Sequence, residues 1–233
     1  MGEVPLNIRL KTVAEYVSDK AHLADIGSDH AYLPIYLAQQ GKIATAVAGE
    51  VVQGPFLSAK ASVQEYAMTN NIDVRLGDGL EVISNTEGIS DITICGMGGE
   101  LIAQILERGQ QKGHLSGKER LILQPNVAEH FVREWLLKEH YEIIAETILE
   151  DNDRLYEIIV AEKTTKALSY TSVQLEHGVY LTQEKPELAK KKWKRLVCKH
   201  QYILDQITKS VNPQPEKIAY FKQKIKELEE LLA

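Results

Sequence analysis

The stretch "DIGSDH", Asp25–His30, places a glycine, a hydroxyl and two carboxylates around one chain reversal. Gly27 gives the backbone freedom for a tight strand-to-helix turn and lets a ligand come close. A pyrophosphate in such a turn would rest on the amides of the following helix. Asp29 would repel it at close range, so the loop suits a ligand that presents cations. A second use of Asp29 is to cap the helix that begins near Ala31. Glu50 lies 23 positions past Gly27. That is the spacing at which an acidic strand end accepts the hydroxyls of an adenosine ribose.

Two further strand exits carry glycines. In "GDGL", Asp78 stands where a carboxylate can meet an adenine amino group, although a Gly-Asp-Gly turn needs no ligand to exist. In "CGMGGELI", Gly96, Gly98 and Gly99 leave the backbone open to two ligands, and Met97 can pack on an adenosine or on a methyl donor. Cys95 has no base beside it and is not expected to act as a nucleophile. Asp25, Gly27, Ser28, Asp29, Glu50, Val51, Asp78, Gly79, Gly96 and Met97 are therefore the candidate donor-binding residues. Gln124 and Asn126 of "LQPN" can hydrogen-bond a base edge, and Asp29 and His30 are the candidates for acceptor-side catalysis.

These exits need strands and helices to present them. Short apolar strands are expected at Leu23–Ile26, Ala44–Gly49, Ile72–Leu76, Asp91–Cys95 and Arg120–Gln124, with helices at Leu10–Ser18, Ala31–Gln40, Pro55–Asn70, Glu100–Gln110 and Ala128–His140. That alternation implies a parallel sheet covered on both faces. Tyr141–Leu149 and Leu155–Glu162 have only a short polar turn between them, so they must pair antiparallel. The fold class is α/β, a Rossmann-like sheet closed by an antiparallel hairpin, as in class I S-adenosylmethionine-dependent methyltransferases. S-adenosylmethionine carries an ammonium and a sulfonium and no phosphate, which fits the acidic loop.

Past the hairpin the pattern changes. Trp193, Leu196, His200, Ile203 and Ile207 recur at helical spacing, as do Ile218, Phe221, Ile225, Leu228 and Leu232, with a break at Asn212–Pro215. A methyltransferase domain over 1–165 and a helical, coiled-coil-like hairpin over 166–233 are expected. The 233-residue chain has a net charge of −6, unevenly spread. From Lys166 onward there are 13 Lys and Arg against 8 Asp and Glu, a balance of +5 that leaves −11 for the first 165 residues. An acidic body with a basic tail is compatible with a polyanion partner. The basic cluster Lys190, Lys191, Lys192, Lys194 and Arg195 can neutralise phosphates, with Trp193 turned to the core.

No apolar run is long enough to span a membrane, and "MGEVPLNIRLK" is neither an export nor a myristoylation signal. Cys95 and Cys198 are expected as free thiols in the cytoplasm. No metal site and no obligate protein partner are implied.

"DIGSDHAYLPIYL", "GEVVQGPFLSAK", "GDGL", "CGMGGELI" and "LQPN", in that order and preceded by Arg9–Leu10, closely resemble the bacterial tRNA adenine-22 N1-methyltransferase family. The resemblance covers essentially the whole chain. It implies S-adenosylmethionine as donor, S-adenosylhomocysteine as product, and N1 of adenine-22 in the tRNA D arm as acceptor. Arg9, Gly98, Gly99, Gln124, Asn126 and the basic cluster are the candidate tRNA-contacting residues. Alternatives are a methyltransferase for another RNA site or a small molecule, an NAD(P) oxidoreductase, which Asp29 argues against, and a non-catalytic RNA-binding protein.

Overall fold

The structure, a computed structural model, describes residues 2–210 and 214–233. Within them the chain forms two compact units, Met1–Tyr170 and Thr171–Ala233.

The first unit alternates helices and strands: α1 (Ile8–Tyr16), β1 (Ala21–Ile26), α2 (Tyr32–Gln39), β2 (Ile43–Glu50), α3 (Gln53–Glu65), β3 (Ile72–Leu76), β4 (Asp91–Met97), α4 (Gly99–Gln111), β5 (Arg120–Pro125), α5 (Glu129–Lys138), β6 (Tyr141–Asp151) and β7 (Arg154–Lys163). A single 3-10 turn at Gly79–Val82 follows β3. The seven strands lie in the order β3-β2-β1-β4-β5-β7-β6. The first five pair parallel, and β7 runs antiparallel to both β5 and β6. The expected parallel sheet with a closing hairpin is what forms.

Central strands carry apolar residues on both faces because helices cover both. Leu23, Ala24, Ile92, Ile94, Leu121, Ile122 and Leu123 are all fully buried. Asn7 caps α1, which begins two residues before the expected start at Leu10, its side chain accepting from Leu10 N at 2.9 Å. That cap places Arg9 in the first helical turn. Pro34 is tolerated in the first turn of α2, where its missing N–H has no intrahelical acceptor. The closing hairpin is pinned to α5 by buried Arg133, which pairs with Glu146 of β6 at 2.7 Å and with Glu157 of β7. An ion cluster this dry is tolerable only while both carboxylates keep their guanidinium.

Strand order reverses between β1 and β4: β2 follows on one side of β1, and β5 on the far side of β4. In open α/β sheets the crevice at the carboxyl ends of such a pair is where ligands bind. Asp25–Ser28 and Cys95–Met97 are the residues that exit there.

The second unit comprises α6 (Ser172–His177), α7 (Val179–Glu184), α8 (Glu187–Thr208) and α9 (Pro215–Leu232). The sequence pattern missed α6 and α7, which at six residues each are too short to show a period. Thr171 and Gln174 form a reciprocal capping box at the start of α6. Trp193, Leu204, Ile225 and Leu228 are buried where α8 and α9 pack, so the helical hairpin and the core position of Trp193 are as expected. Asn212 and Pro213 of the expected break lie outside the described residues.

Candidate active site

The β1 exit is built around a buried carboxylate. Asp25 accepts hydrogen bonds from Ser28 Oγ at 2.5 Å and from Thr93 Oγ1 of β4 at 2.6 Å. Burial pushes its pKa above the usual carboxylate range, against the pull of those two hydroxyls. Gly27 follows at φ 70°, and the position its Cβ would take is filled by the Met97 methyl. Both features favour glycine, the second to the extent that the flexible Met97 side chain does not move aside.

Asp29 does not cap the helix. It sits at φ 53°, and α2 begins after Ala31, itself at φ 57° with no side-chain cap. The Asp29 amide instead donates to the Glu50 carboxylate, and its own carboxylate is 79% exposed. Glu50 is nearly buried at the end of β2. Burial raises its pKa; the Asp29 amide pulls it down, and the charges of Asp29 and Asp25 push it up again. His30 Nε2 lies 3.8 Å from Asp29 Oδ1, and its ring stacks on Tyr32 at 5.1 Å.

These residues enclose a cleft of about 380 Å³. Asp25, Gly27, Ser28, Asp29, Glu50 and Val51 line it from β1 and β2, Cys95, Gly96 and Met97 from β4, and Arg9 from α1. A smaller lobe of about 100 Å³ adjoins it through the shared Gly27, Val51 and Met97. Asp78 and Gly79 line that lobe, with Gly77, Leu101 and Ile105. Asp78 accepts from Arg108 Nη2 at 3.0 Å. The ten candidate donor-binding residues thus converge on one two-lobed cleft. Leu33, Pro55, Gly77, Leu101 and Ile105 went unread in the sequence. Of these, Leu101 and Ile105 had a signal, four apart on one face of a helix that opens at a glycine-rich exit.

The acceptor-side candidates divide. Gln124 is fully buried, and its amide is consumed internally. Its Oε1 accepts from Arg9 and, at 3.0 Å, from Gly96 N; its Nε2 donates to Pro125 O at 2.9 Å and Asn126 Oδ1 at 3.2 Å. Asn126 Nδ2 donates to Gly96 O at 2.6 Å. This is a correction: Gln124 does not offer its amide to a base but braces the Gly96–Met97 exit and holds Arg9 in the cleft. Gly99 is also reassigned. A Cβ there would collide with the Ala128 carbonyl, so packing against the turn before α5 already requires a glycine. Gly98 faces open space. Burial pushes the Cys95 thiol up, which disfavours the thiolate a nucleophile needs.

The basic cluster belongs to the other unit. Lys190 pairs with Glu187 at 2.9 Å. Lys191, Lys194 and Arg195 line a shallow groove of about 620 Å³ along α8 with Leu188 and Cys198. Lys192 lies half-buried beside Trp193 in the sequence of the same helix.

Residues 23–230 match the family model described as TrmK, tRNA (adenine(22)-N(1))-methyltransferase. The tRNA (adenine(22)-N(1))-methyltransferase of Bacillus subtilis (strain 168) is 47% identical over 232 residues, spanning 98% of this chain and 94% of that protein. The crystal structure of the B. subtilis M1A22 tRNA methyltransferase TrmK superposes with a TM-score of 0.92 at 43% identity, covering 99% of this chain and 100% of that one. A Streptococcus pneumoniae chain solved in complex with S-adenosyl-L-methionine superposes with a TM-score of 0.89 at 40% identity, over 98% and 100% of the two chains. The chain described here belongs to the tRNA (adenine(22)-N(1))-methyltransferase family.

Proposed function

We infer that this chain is an S-adenosylmethionine-dependent tRNA methyltransferase that methylates N1 of adenine-22. The observation that carries the chemistry is the composition of the larger lobe. Three carboxylates, from Asp25, Asp29 and Glu50, and one guanidinium, from Arg9, line a cleft at the β1/β4 reversal. That donor set fits the amino-acid end of S-adenosylmethionine, a cation and an anion side by side, and it repels a pyrophosphate. The S. pneumoniae relative was solved with this same donor, and the acceptor is that named for the B. subtilis relative.

Each residue then has a part. Arg9 faces the donor's carboxylate, and Asp29 its ammonium. Glu50 receives the ribose hydroxyls, and Asp78 the adenine amino group in the smaller lobe. Met97 borders both lobes, at the place where adenosine and sulfonium meet. The donor supplies an electrophilic methyl group. N1 of adenine holds an in-plane lone pair, so transfer requires alignment and no prior loss of a proton. Base pairing hides that nitrogen, so the nucleotide must be presented unpaired or extruded. His30 lines neither lobe and is kept for the incoming nucleotide. The Lys191, Lys194 and Arg195 face of α8 provides phosphate contacts, and the working compartment is the cytoplasm.

The deciding assay is transfer of labelled methyl from S-adenosylmethionine to an unmodified tRNA transcript with adenine at position 22, against the same transcript with guanine there. Label on the first alone is expected. Equal label on both would remove the site assignment, and label on neither would remove tRNA as the substrate.

A further inference from the structure

Among the described residues of the first unit, the large exposed apolar side chains cluster at one end of the sheet. Val51, Val52, Leu57, Leu76, Leu101, Val127 and Phe131 are each the last residue of a parallel strand, in the loop after it, or within the first five residues of the next helix. Ile8, 54% exposed, opens α1 beside Arg9, whose guanidinium reaches Gln124 near the end of β5. Exposed apolar side chains gathered at one end of a sheet point to a binding face there. Val51 and Leu101 are accounted for by the donor cleft. Val127, 63% exposed, and Phe131, 36% exposed, line neither lobe.

The turn that carries them is tied directly to the donor site. Asn126 N donates to Met97 O at 2.7 Å, and Gly99 N donates to Val127 O at 2.8 Å. Between Val127 and α5, Ala128 adopts φ 58° and ψ 46°, a left-handed conformation that an L-residue with a Cβ disfavours, and it supplies no side-chain cap. The bare Gly99 lets its carbonyl seat against α4. A strained turn held in place by packing points to a use for the side chains it presents. Phe131 lies against His130, ring centroids 4.3 Å apart.

We propose that Val127 and Phe131 form the receiving wall for the acceptor base, with the Phe131 ring stacking on the extruded adenine. The inference rests on the tRNA methyltransferase reading of the same cleft. An aromatic face suits any purine, and this one changes charge during the reaction. As N1 bonds to the methyl carbon, the C–S electron pair stays on sulfur and the positive charge passes to the adenine ring. A ring face attracts that cation more strongly than the neutral base, so Phe131 favours the transition state over the ground state. An aliphatic wall would bury the base without that gain. Phe131 thereby discriminates between an unpaired purine and a smaller pyrimidine, for which less ring overlap is available.

The test compares Phe131→Leu and Phe131→Tyr in the full chain. Three readouts are taken: methyl transfer to the adenine-22 transcript, S-adenosylmethionine affinity by calorimetry, and fluorescence of a transcript carrying 2-aminopurine at position 22. Phe131→Tyr should stay within about twofold of wild type, and Phe131→Leu should lose about tenfold or more in kcat/KM, within the range of base–aromatic stacking. Donor affinity should be unchanged in both, and protein-dependent quenching of the 2-aminopurine should weaken only in the leucine variant. Wild-type kcat/KM or undiminished quenching in Phe131→Leu overturns the proposal, as does a parallel loss of donor affinity. Wild-type protein that labels no tRNA overturns the activity reading instead, which separates the two failures.

Discussion

The carboxylate of Glu50, at the end of β2, accepts a hydrogen bond from the backbone amide of Asp29, in the loop after β1. One residue therefore fixes the acidic loop while presenting a carboxylate to the cleft. This explains how Asp29 persists at φ 53° without capping a helix. Glu50→Gln keeps an acceptor for the amide but loses the charge, and Glu50→Ala loses both. We expect donor affinity to fall in the order wild type, glutamine, alanine, with about tenfold or more between the ends if one charge-assisted hydrogen bond is lost. Calorimetric titration checks it, and equal affinities in glutamine and alanine variants would leave the loop tether without a role.

Asp25 and Glu50 both have raised pKa values, chiefly from burial. The linkage sign follows from proton counts. Between the ordinary carboxylate pKa and the raised one, the folded protein holds more protons than the unfolded chain. Stability from these two groups thus grows as pH falls through that window and is lost as pH rises, opposite to an ion-paired carboxylate. Donor binding should run the other way, because protonating Glu50 removes the charge proposed to face the ribose. Urea unfolding of wild type and Asp25→Asn, followed as pH falls from neutrality to the ordinary carboxylate pKa, should show a flatter pH slope in the variant. A slope identical in both would mean that Asp25 ionises as freely folded as unfolded.

Gly27 and Met97 should couple. Gly27→Ala incurs the left-handed backbone penalty of about 1–2 kcal/mol and also collides with the Met97 methyl. Met97→Ala in the same chain removes the collision but not the backbone penalty. A double-mutant cycle on donor affinity should therefore show recovery of the steric share, by about 0.5 kcal/mol or more. Strict additivity would show that the methionine leaves the space without cost.

Much of this site could be read from the sequence because it sits at strand exits. Gly27, Glu50, Asp78 and Gly96 announce themselves by type and by spacing from one another, and strand alternation fixes which end of the sheet they share. What escaped was how nearby polar side chains divide between ligand and scaffold. Gln124 looks like a base-reading amide in one dimension, and only the approach of α1 to β5 shows its oxygen held by Arg9 and Gly96. Gly99 reads like its neighbours in "GMGG" until the Ala128 carbonyl is found where its Cβ would be. The left-handed Ala31 and Ala128 give no compositional signal, since alanine ordinarily marks helix interior.

The Gln124 brace predicts a loss of fold and of donor binding together. Gln124→Leu fits the apolar surroundings but leaves the Gly96 N–H and the Arg9 guanidinium without their acceptor. Gln124 is fully buried and makes four hydrogen bonds, each worth about 0.5–1.5 kcal/mol net, while the half-buried Arg9 and the exposed Gly96 recover part of their share from water. We expect urea unfolding to report a destabilisation of about 2 kcal/mol or more, with KM for S-adenosylmethionine raised because Arg9 is no longer positioned. Unchanged stability would remove the brace, and an unchanged KM with lower stability would separate Arg9 from donor binding.

Whether the basic face of α8 meets RNA, and through which side chains, is tested by salt dependence. Lys191, Lys194 and Arg195 line one groove with Glu187, and Lys190 does not line it. Each phosphate contact releases condensed counterion on binding, so removing one should lower the slope of log affinity against log salt by about 1. Lys191→Ala, Lys194→Ala and Arg195→Ala should each flatten that slope for tRNA and leave donor affinity at the wild-type value. Lys190→Ala should flatten it less, since Lys190 does not line that groove. Filter binding of tRNA from low to moderate salt distinguishes the cases. Four equal slopes would spread the contact evenly round the helix, and four unchanged slopes would remove α8 from the RNA interface.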